Sequence, residues 1–411
     1  MKAYAGLTVF TGDLKMPIIS DAIIVIEEGK IIYVGSEERG WHYLEEAEEF
    51  VKLDGKLIIP GMANNNVFLN SFLHLLSDHP SRKITETFSS FLNMYIPSDF
   101  ELSAKWGAVT AVKNGVTHMI GMFIWEKGMD PAKVLKTLEN IPVHMIASPL
   151  VKLKDLNEDL LKLFKSYNLI PTVKFDESLE EKLPQLARFE ETSVVRYLIP
   201  NWDHLDKLFL SSIGKKAIEI SIGSGIFSSN VQVVHGGGFS TGDLDVLAVR
   251  NVEVVKSPRF EYMLGSKSGD IQEYVVRSMR LSLGTSVFDL SPVNEVKLAL
   301  FTEFSFWNST KVLKDGMYKL LFQSSYDFYS NVLGSQCGRI REGYEATFVV
   351  VNTLGSIETL DDFMDFMLRK WDPSLIDRVL VEGEEIYVNK QIRFVDEYQL
   401  MQSISKKRRA D

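Results

Sequence analysis

Short apolar runs alternate with longer amphipathic stretches through residues 61–338. That rhythm predicts βα units and a parallel sheet, because parallel strands need a crossover of a dozen or more residues. The strand candidates are 62–68, 118–123, 143–149, 170–175, 194–199, 231–236, 252–257 and 280–286. Eight parallel strands are the number that closes a barrel. The run 217–222 (Ala-Ile-Glu-Ile-Ser-Ile) alternates like a strand, but too few residues separate it from Val231 for a helical crossover. It is therefore read as the end of a helix or an accessory turn. If it were the fifth strand after all, Ser221 would face the pocket.

The two ends of the chain follow another pattern. Runs 22–27 and 30–34 flank Glu28-Gly29, and 56–59 follows Asp54-Gly55, both suited to tight turns. Near the C-terminus 347–351 and 378–381 are strand-like, and Glu382-Gly383-Glu384 turns into 386–388. Neither end is large enough to close a sheet alone, so residues 1–60 and 339–400 are predicted to pair into one small β-domain. The barrel then occupies 61–338, and 401–411 is a basic tail.

Composition narrows the class. The 411 residues carry 45 Lys+Arg against 55 Asp+Glu, a net charge of −10. With 45% hydrophobic and 24% charged residues, the chain is an ordinary globular one. The acidic balance argues against nucleic acid as a partner. Lys406-Lys407-Arg408-Arg409 is read as solvated. Residues 1–10 reach Thr11-Gly12-Asp13 too soon for a signal-peptide core, and no apolar run spans a bilayer, so no membrane partner is expected. The single cysteine, Cys337, fits a reducing cytoplasm.

Several motifs fall in a recognisable order. Ile59-Pro60-Gly61-Met62-Ala63-Asn64 leads the first strand, Gly115-Val116-Thr117-His118 the second, and Val234-His235 with Phe239-Ser240 and Asp243 the sixth. Ser257-Pro258 with Leu264-Gly265-Ser266, then Leu283-Gly284-Thr285, mark the seventh and eighth. Gly338-Arg339-Ile340-Arg341-Glu342-Gly343 and Glu345-Ala346-Thr347-Phe348-Val349 lead back to the β-domain. This order resembles the amidohydrolase superfamily, in its cytosine-deaminase, chlorohydrolase and S-adenosylhomocysteine-deaminase branch. The resemblance implies a (β/α)8 barrel with a composite β-sandwich from both termini. It also implies hydrolysis or deamination at C–N bonds, a small-molecule ligand, and is compatible with a homo-oligomer.

The superfamily's zinc or iron is held by a His-x-His pair, a fifth-strand His and an eighth-strand Asp. On this resemblance the pair falls on Asn66 and Phe68, the fifth-strand His on about Tyr197, and the Asp on Ser286. A family Glu falls on Pro200, and His235 alone is kept. An amide is a poor divalent-metal ligand, and a phenyl ring or neutral hydroxyl a poorer one. Without a metal the hydroxide available near neutral pH drops by roughly eight orders of magnitude, whereas one general base returns only about 10²–10⁴. No metal cofactor is therefore expected, and the expected pocket lining is Asn66, Phe68, Tyr197, His235, Arg259, Ser286 and Asp289.

Each remaining candidate has a plainer reading beside it. Gly236–Gly238 lacks the surroundings of a phosphate cradle and suits a close turn. Arg259 and Glu261 either pair with each other and fill the pocket or hold a charged ligand. Asp289 is a substitute for the lost Asp or a turn or helix cap. His74 and His79 stand five apart and do not share one helical face. Residues 301–307 (Phe-Thr-Glu-Phe-Ser-Phe-Trp) either stack on a ligand or pack a helix on the barrel. Three functions stay open: a metal-free homologue that binds or assembles, a hydrolase working through His235 with Asp289, His74 or His79, and a structural subunit with a plugged barrel.

Overall fold

The structure, a computed structural model, describes residues 1–69, 100–176, 178–199, 202–235, 238–263, 271–287, 289–309, 314–334, 336–353 and 355–408. Two eight-stranded sheets organise these residues. The first is built from both ends of the chain: β1 (Lys2–Phe10), β2 (Ile18–Glu27), β3 (Lys30–Ser36) and β4 (Glu49–Pro60), with the late strands Phe348–Asn352, Ile376–Val381, Glu384–Val388 and Gln391–Ile392. The seam is antiparallel pairing of Phe348–Asn352 with β4, from Phe348 opposite Pro60 to Asn352 opposite Lys56. Side-chain alternation divides the two faces. Ile58, Val350 and Leu380 join one buried cluster within the β-domain, while Leu57, Ile59, Val349, Val351 and Val379 join the large core that runs into the barrel.

The expected turns at Glu28-Gly29 and Glu382-Gly383 form, each with two left-handed residues (φ 47° and 75°, 48° and 81°). Asp54-Gly55 does not reverse the chain. It is a bulge inside the continuous strand β4, where the pairing jumps from Ala5–Lys52 to Leu7–Lys56.

The second sheet is the barrel: β5 (Met62–Phe68), β6 (Val116–Ile124), β7 (His144–Lys152), β8 (Thr172–Lys174), β9 (Val195–Leu198), β10 (Val231–Val234), β11 (Glu253–Lys256) and β12 (Arg280–Leu283). Neighbours pair in parallel throughout. The ring closes where Phe68 N–H donates to Ser286 O and Ser286 N–H to Asn66 O, both at 2.8 Å. Gly284 permits this seam: a Cβ there would lie 2.4 Å from Asn66 Cβ. Residues 217–222 are helical, within Ala217–Gly223, as the spacing argument requires. The numbering continues with β13 (Phe348–Asn352), β14 (Ile376–Val381), β15 (Glu384–Val388) and β16 (Gln391–Ile392).

Inward side chains stack in three layers. Ala63, Ile120, Ile146 and Ile170 fill the N-terminal end under Tyr326 and Tyr329. Arg196, Ser148, Thr172, Gln232, Glu253 and Ser282 form a buried polar middle layer. Phe68, Met122, Leu150, Leu198, Val234, Phe260 and Val287 form an apolar layer at the C-terminal mouth. The segment expected as a loose tail lies partly in the helix Glu397–Arg408, whose Leu400 and Ile404 are buried against Val109. No described helix is long and apolar enough to cross a membrane.

Candidate functional site

The mouth of the barrel brings together Asn66, His235 and Ser286, with Phe68 in the apolar layer beside them. His235 follows β10 with a left-handed backbone (φ 60°), and its ring lies against Phe260 with centroids 4.5 Å apart. Its Nε2 is 3.3 Å from Asn66 Nδ2 and 3.4 Å from Ser286 Oγ. Arg196 settles the direction of the shorter contact. Its Nη2, a donor only, is 3.4 Å from Asn66 Oδ1, so the Asn66 NH₂ faces the ring and Nε2 accepts. The neutral ring then carries its proton on Nδ1, which has no hydrogen-bond partner among the described residues.

Electrostatics keep that ring neutral. Burial pushes the His235 imidazole down to about 3, Glu261 opposing and the Arg196 and Lys256 charges reinforcing. A base so weak is almost wholly deprotonated at neutral pH but has little affinity for a proton in a transition state. Arg196 is itself fully buried and satisfied by the barrel: Nη2 donates to Asn65 O at 2.6 Å, Nη1 to Ser148 Oγ at 3.1 Å, and Nε to Gln232 Oε1 at 3.0 Å. Gln232 Nε2 donates on to Glu253 Oε1 at 2.9 Å. Burial lowers Arg196 to about 10, with Tyr329 and Glu253 raising it, so the guanidinium stays charged.

Arg259 and Glu261 do not pair with each other. Two residues apart on the helix Pro258–Met263, they point to different neighbours. Arg259 Nε reaches Glu295 Oε1 and its Nη2 Asp289 Oδ1, both at 2.7 Å. Glu261 meets Lys256 Nζ at 2.5 Å, with side-chain exposures of 1% and 0%. Asp289 also accepts from Asn294 Nδ2 at 2.9 Å and from Ser291 N–H at 3.2 Å, ahead of the helix Pro292–Trp307. Burial works to raise its pKa, but the bonds and charge of Arg259 outweigh that and hold it low.

Tyr197 does not line the mouth. Inward positions of the fifth strand are Arg196 and Leu198, so Tyr197 points outward among Phe175 and Phe227 and donates to Glu190. The mouth position nearest the family's fifth-strand His is therefore Leu198. Phe301, Phe306 and Trp307 are exposed (54%, 70% and 46%) rather than packed on the barrel, and only Phe304 of that stretch's phenylalanines packs against the core. His74, His79, Pro200, Gly236, Gly237 and Leu264–Ser266 lie outside the described residues; Gly238 is left-handed (φ 86°).

The donors that the described residues place at the mouth do not suit the superfamily's metal. Among the described residues, Asn66, Phe68, Leu198 and Ser286 offer an amide, two hydrocarbons and a hydroxyl, and the His235 imidazole already accepts a hydrogen bond at Nε2. Arg196, bonded to the Asn66 oxygen, also places a fixed positive charge beside that amide. A cavity of about 800 Å³ opens off-axis, lined by Trp125, Lys152, Asp155, Asp159 and Lys174 around the C-terminal ends of β6–β8.

Sequence reasoning missed Arg196, Lys256 and Gln232. A charged or amide residue inside an otherwise apolar strand was the available signal, since it must face partners rather than the helices. It also missed the group His118, His144 and Glu345 at the other end of the barrel.

No protein-family model matches the chain. A 5-methylthioadenosine/S-adenosylhomocysteine deaminase from Bacillus cereus is 20% identical over 99% of this chain and 98% of its own length. The zinc complex of atrazine chlorohydrolase from Arthrobacter aurescens TC1 superposes with a TM-score of 0.81 at 14% identity, covering 99% of this chain and 100% of that one. A zinc-bound adenosine deaminase from Xanthomonas campestris gives a TM-score of 0.75 at 12% identity, covering 100% and 99%.

Proposed function

The chain belongs to the amidohydrolase superfamily, and we propose that within it the protein carries out no metal-dependent hydrolysis at the barrel mouth and works by binding a small molecule instead. The observation that carries this reading is the donor set at the mouth. Asn66, Phe68, Leu198 and Ser286 stand where the superfamily has imidazoles and a carboxylate, around a His235 held neutral and hydrogen-bonded. With no group among the described mouth residues to make hydroxide near neutral pH, the roughly eight orders of magnitude a metal supplies are not recovered by one weak base. The off-axis cavity of about 800 Å³, with Trp125 beside lysines and aspartates, supports a retained ligand. A net charge of −10 and a single, buried cysteine, Cys337, support a cytoplasmic protein that does not bind nucleic acid.

The test is an assay with 5-methylthioadenosine, S-adenosylhomocysteine, adenosine, guanine and atrazine, each with added zinc, iron or manganese. The expected result is no turnover above that of His235→Ala. Turnover that a chelator and His235→Ala both abolish would overturn the reading. A thermal-shift screen with the same compounds tests binding, because ligand at 100 times its Kd adds about 2.7 kcal/mol of stability.

A second reading, assembly, is favoured by Phe301, Phe306 and Trp307, exposed aromatic side chains at one helix end. Gel filtration of Phe301→Ser/Phe306→Ser against the unaltered chain separates the two. A homo-oligomer that falls to monomer in the variant supports assembly; unchanged elution removes that support.

A further inference from the structure

At the N-terminal end of the barrel, opposite His235, three chemistry-bearing side chains converge from distant parts of the chain. His118 lies in β6, His144 opens β7, and Glu345 lies just ahead of β13 in the β-domain. One ligand atom from each lies within 4.8 Å of the others. Glu345 Oε2 is 3.4 Å from His144 Nε2 and 3.8 Å from His118 Nε2, and Glu382 Oε1, from the β14–β15 turn, is 3.6 Å from His144 Nε2.

What distinguishes this group from a packed ion pair is what its atoms lack. His118 Nε2, His144 Nε2 and Glu345 Oε2 are all buried without a hydrogen-bond partner, and all three face one another. Buried polar atoms are rarely left so, and three orphans sharing one small space ask for one common occupant. A tetrahedral cation with bonds of about 2.0–2.1 Å puts ligand atoms about 3.3–3.4 Å apart; His144 Nε2 and Glu345 Oε2 stand at 3.4 Å already, and His118 Nε2, 3.8 Å from Glu345 Oε2, would draw in on binding. The surroundings fit as well. His118 Nδ1 is 3.0 Å from Thr117 Oγ1, a bond that fixes the ring as outer partners of metal-binding histidines do. The His118 and His144 rings stack at 4.4 Å, and Tyr326 and Tyr329 meet His118 edge-on at 5.0 and 5.2 Å, walling the inner side. His144 and Glu345 keep side-chain exposures of 18% and 12%, so an ion can reach them from solvent.

We propose that His118, His144 and Glu345, with Glu382 closing the solvent side, bind a divalent transition-metal ion, zinc by preference, that pins the β-domain to the N-terminal end of the barrel. Two imidazoles and a carboxylate are a donor set that zinc favours over calcium or magnesium. The site is independent of the mouth and of any ligand bound there.

The experiment titrates the full chain, stripped with chelator, with zinc and counts bound metal by mass spectrometry after dialysis. About one equivalent is expected for the unaltered chain and equally for His235→Ala. His144→Ala, at a partly exposed ring, and the isosteric Glu345→Gln should each weaken binding at least tenfold while circular dichroism stays native. Cobalt should give a visible tetrahedral absorption band in the unaltered chain and none in these two variants. Under 0.1 equivalent in the unaltered, folded chain at micromolar zinc overturns the proposal. So does zinc kept undiminished by both variants; if that zinc then disappears in His235→Ala, the metal-free reading of the mouth falls with it.

Discussion

Replacing His235 by Gln should remove a defined share of the protein's acid sensitivity. In the folded chain the imidazole is held at about 3 against an ordinary value of 6.5. The unfolded chain therefore takes up a proton there first as the pH falls, and stability is lost between 6.5 and 3 as acid is added. At pH 5 the unfolded residue sits about 1.5 units below its pKa while the folded ring is still neutral. The linkage integral gives about RT ln(1 + 10^1.5), or about 2 kcal/mol lost relative to pH 8. Gln keeps an oxygen able to accept from Asn66 Nδ2, where Nε2 stands now, yet does not titrate. Urea unfolding of both proteins at pH 8 and pH 5 isolates the term, because His118, which burial and then the nearby His144 also hold low, is common to both and cancels. The unaltered chain should lose about 2 kcal/mol more than His235→Gln between the two pH values. A difference under about 0.5 kcal/mol would mean that the ring is hydrated or charged in the folded protein, and the description of its surroundings as apolar would be wrong.

Other substitutions test the remaining supports. Lys256→Met leaves Glu261 buried and unpaired and should cost about 3–5 kcal/mol in urea unfolding, whereas Lys256→Met/Glu261→Gln should recover most of it; equal losses in single and double variants would deny the pair. Gly284→Ala forces a Cβ to 2.4 Å from Asn66 Cβ at the β5–β12 seam and should cost at least about 1–3 kcal/mol by the same measurement. Tyr197→Phe removes a buried bond to Glu190 and should cost about 1.5–3 kcal/mol while leaving ligand-induced thermal shifts unchanged; altered ligand shifts would put Tyr197 in the pocket instead.

The architecture was legible because the apolar runs of a parallel barrel are buried on both sides and stand out whatever their exact facing. That same property hid the site. In Val194-Val195-Arg196-Tyr197-Leu198-Ile199 both faces are buried, so hydrophobicity does not reveal which residues point inward. Only the guanidinium of Arg196, which needs the partners Asn65, Ser148 and Gln232, marks the inner face. Once it is placed, Tyr197 must point outward and Leu198 toward the mouth. Asp54-Gly55 misled for a related reason: a left-handed glycine (φ 71°) serves a bulge as well as a turn, and only the partner strand β1 decides between them. His118, His144 and Glu345 were beyond spacing rules altogether, since two strands and the approach to the β-domain bring them together only in the fold.

The middle layer of the barrel explains why the mouth takes the form it does. Arg196 is a charge fully buried from solvent, and it is stable there because its partners in the layer are acceptors: Asn65 O, Ser148 Oγ, Thr172 Oγ1, Gln232 Oε1 and Asn66 Oδ1. Satisfying it fixes the Asn66 amide, and that amide in turn fixes the tautomer of His235. A cation seated against Asn66 would have to compete with the guanidinium for the same oxygen and would meet like charge beside it. The apolar layer above then follows from burial: Phe68, Leu198, Phe260 and Val287 have no charged group to solvate and pack against one another. The electrostatic demand of one strand residue thus reaches through an amide and an imidazole to set the chemistry of the barrel's open end. On the metal-free reading proposed above, His235 alone is not expected to support a metal centre while Arg196 is in place.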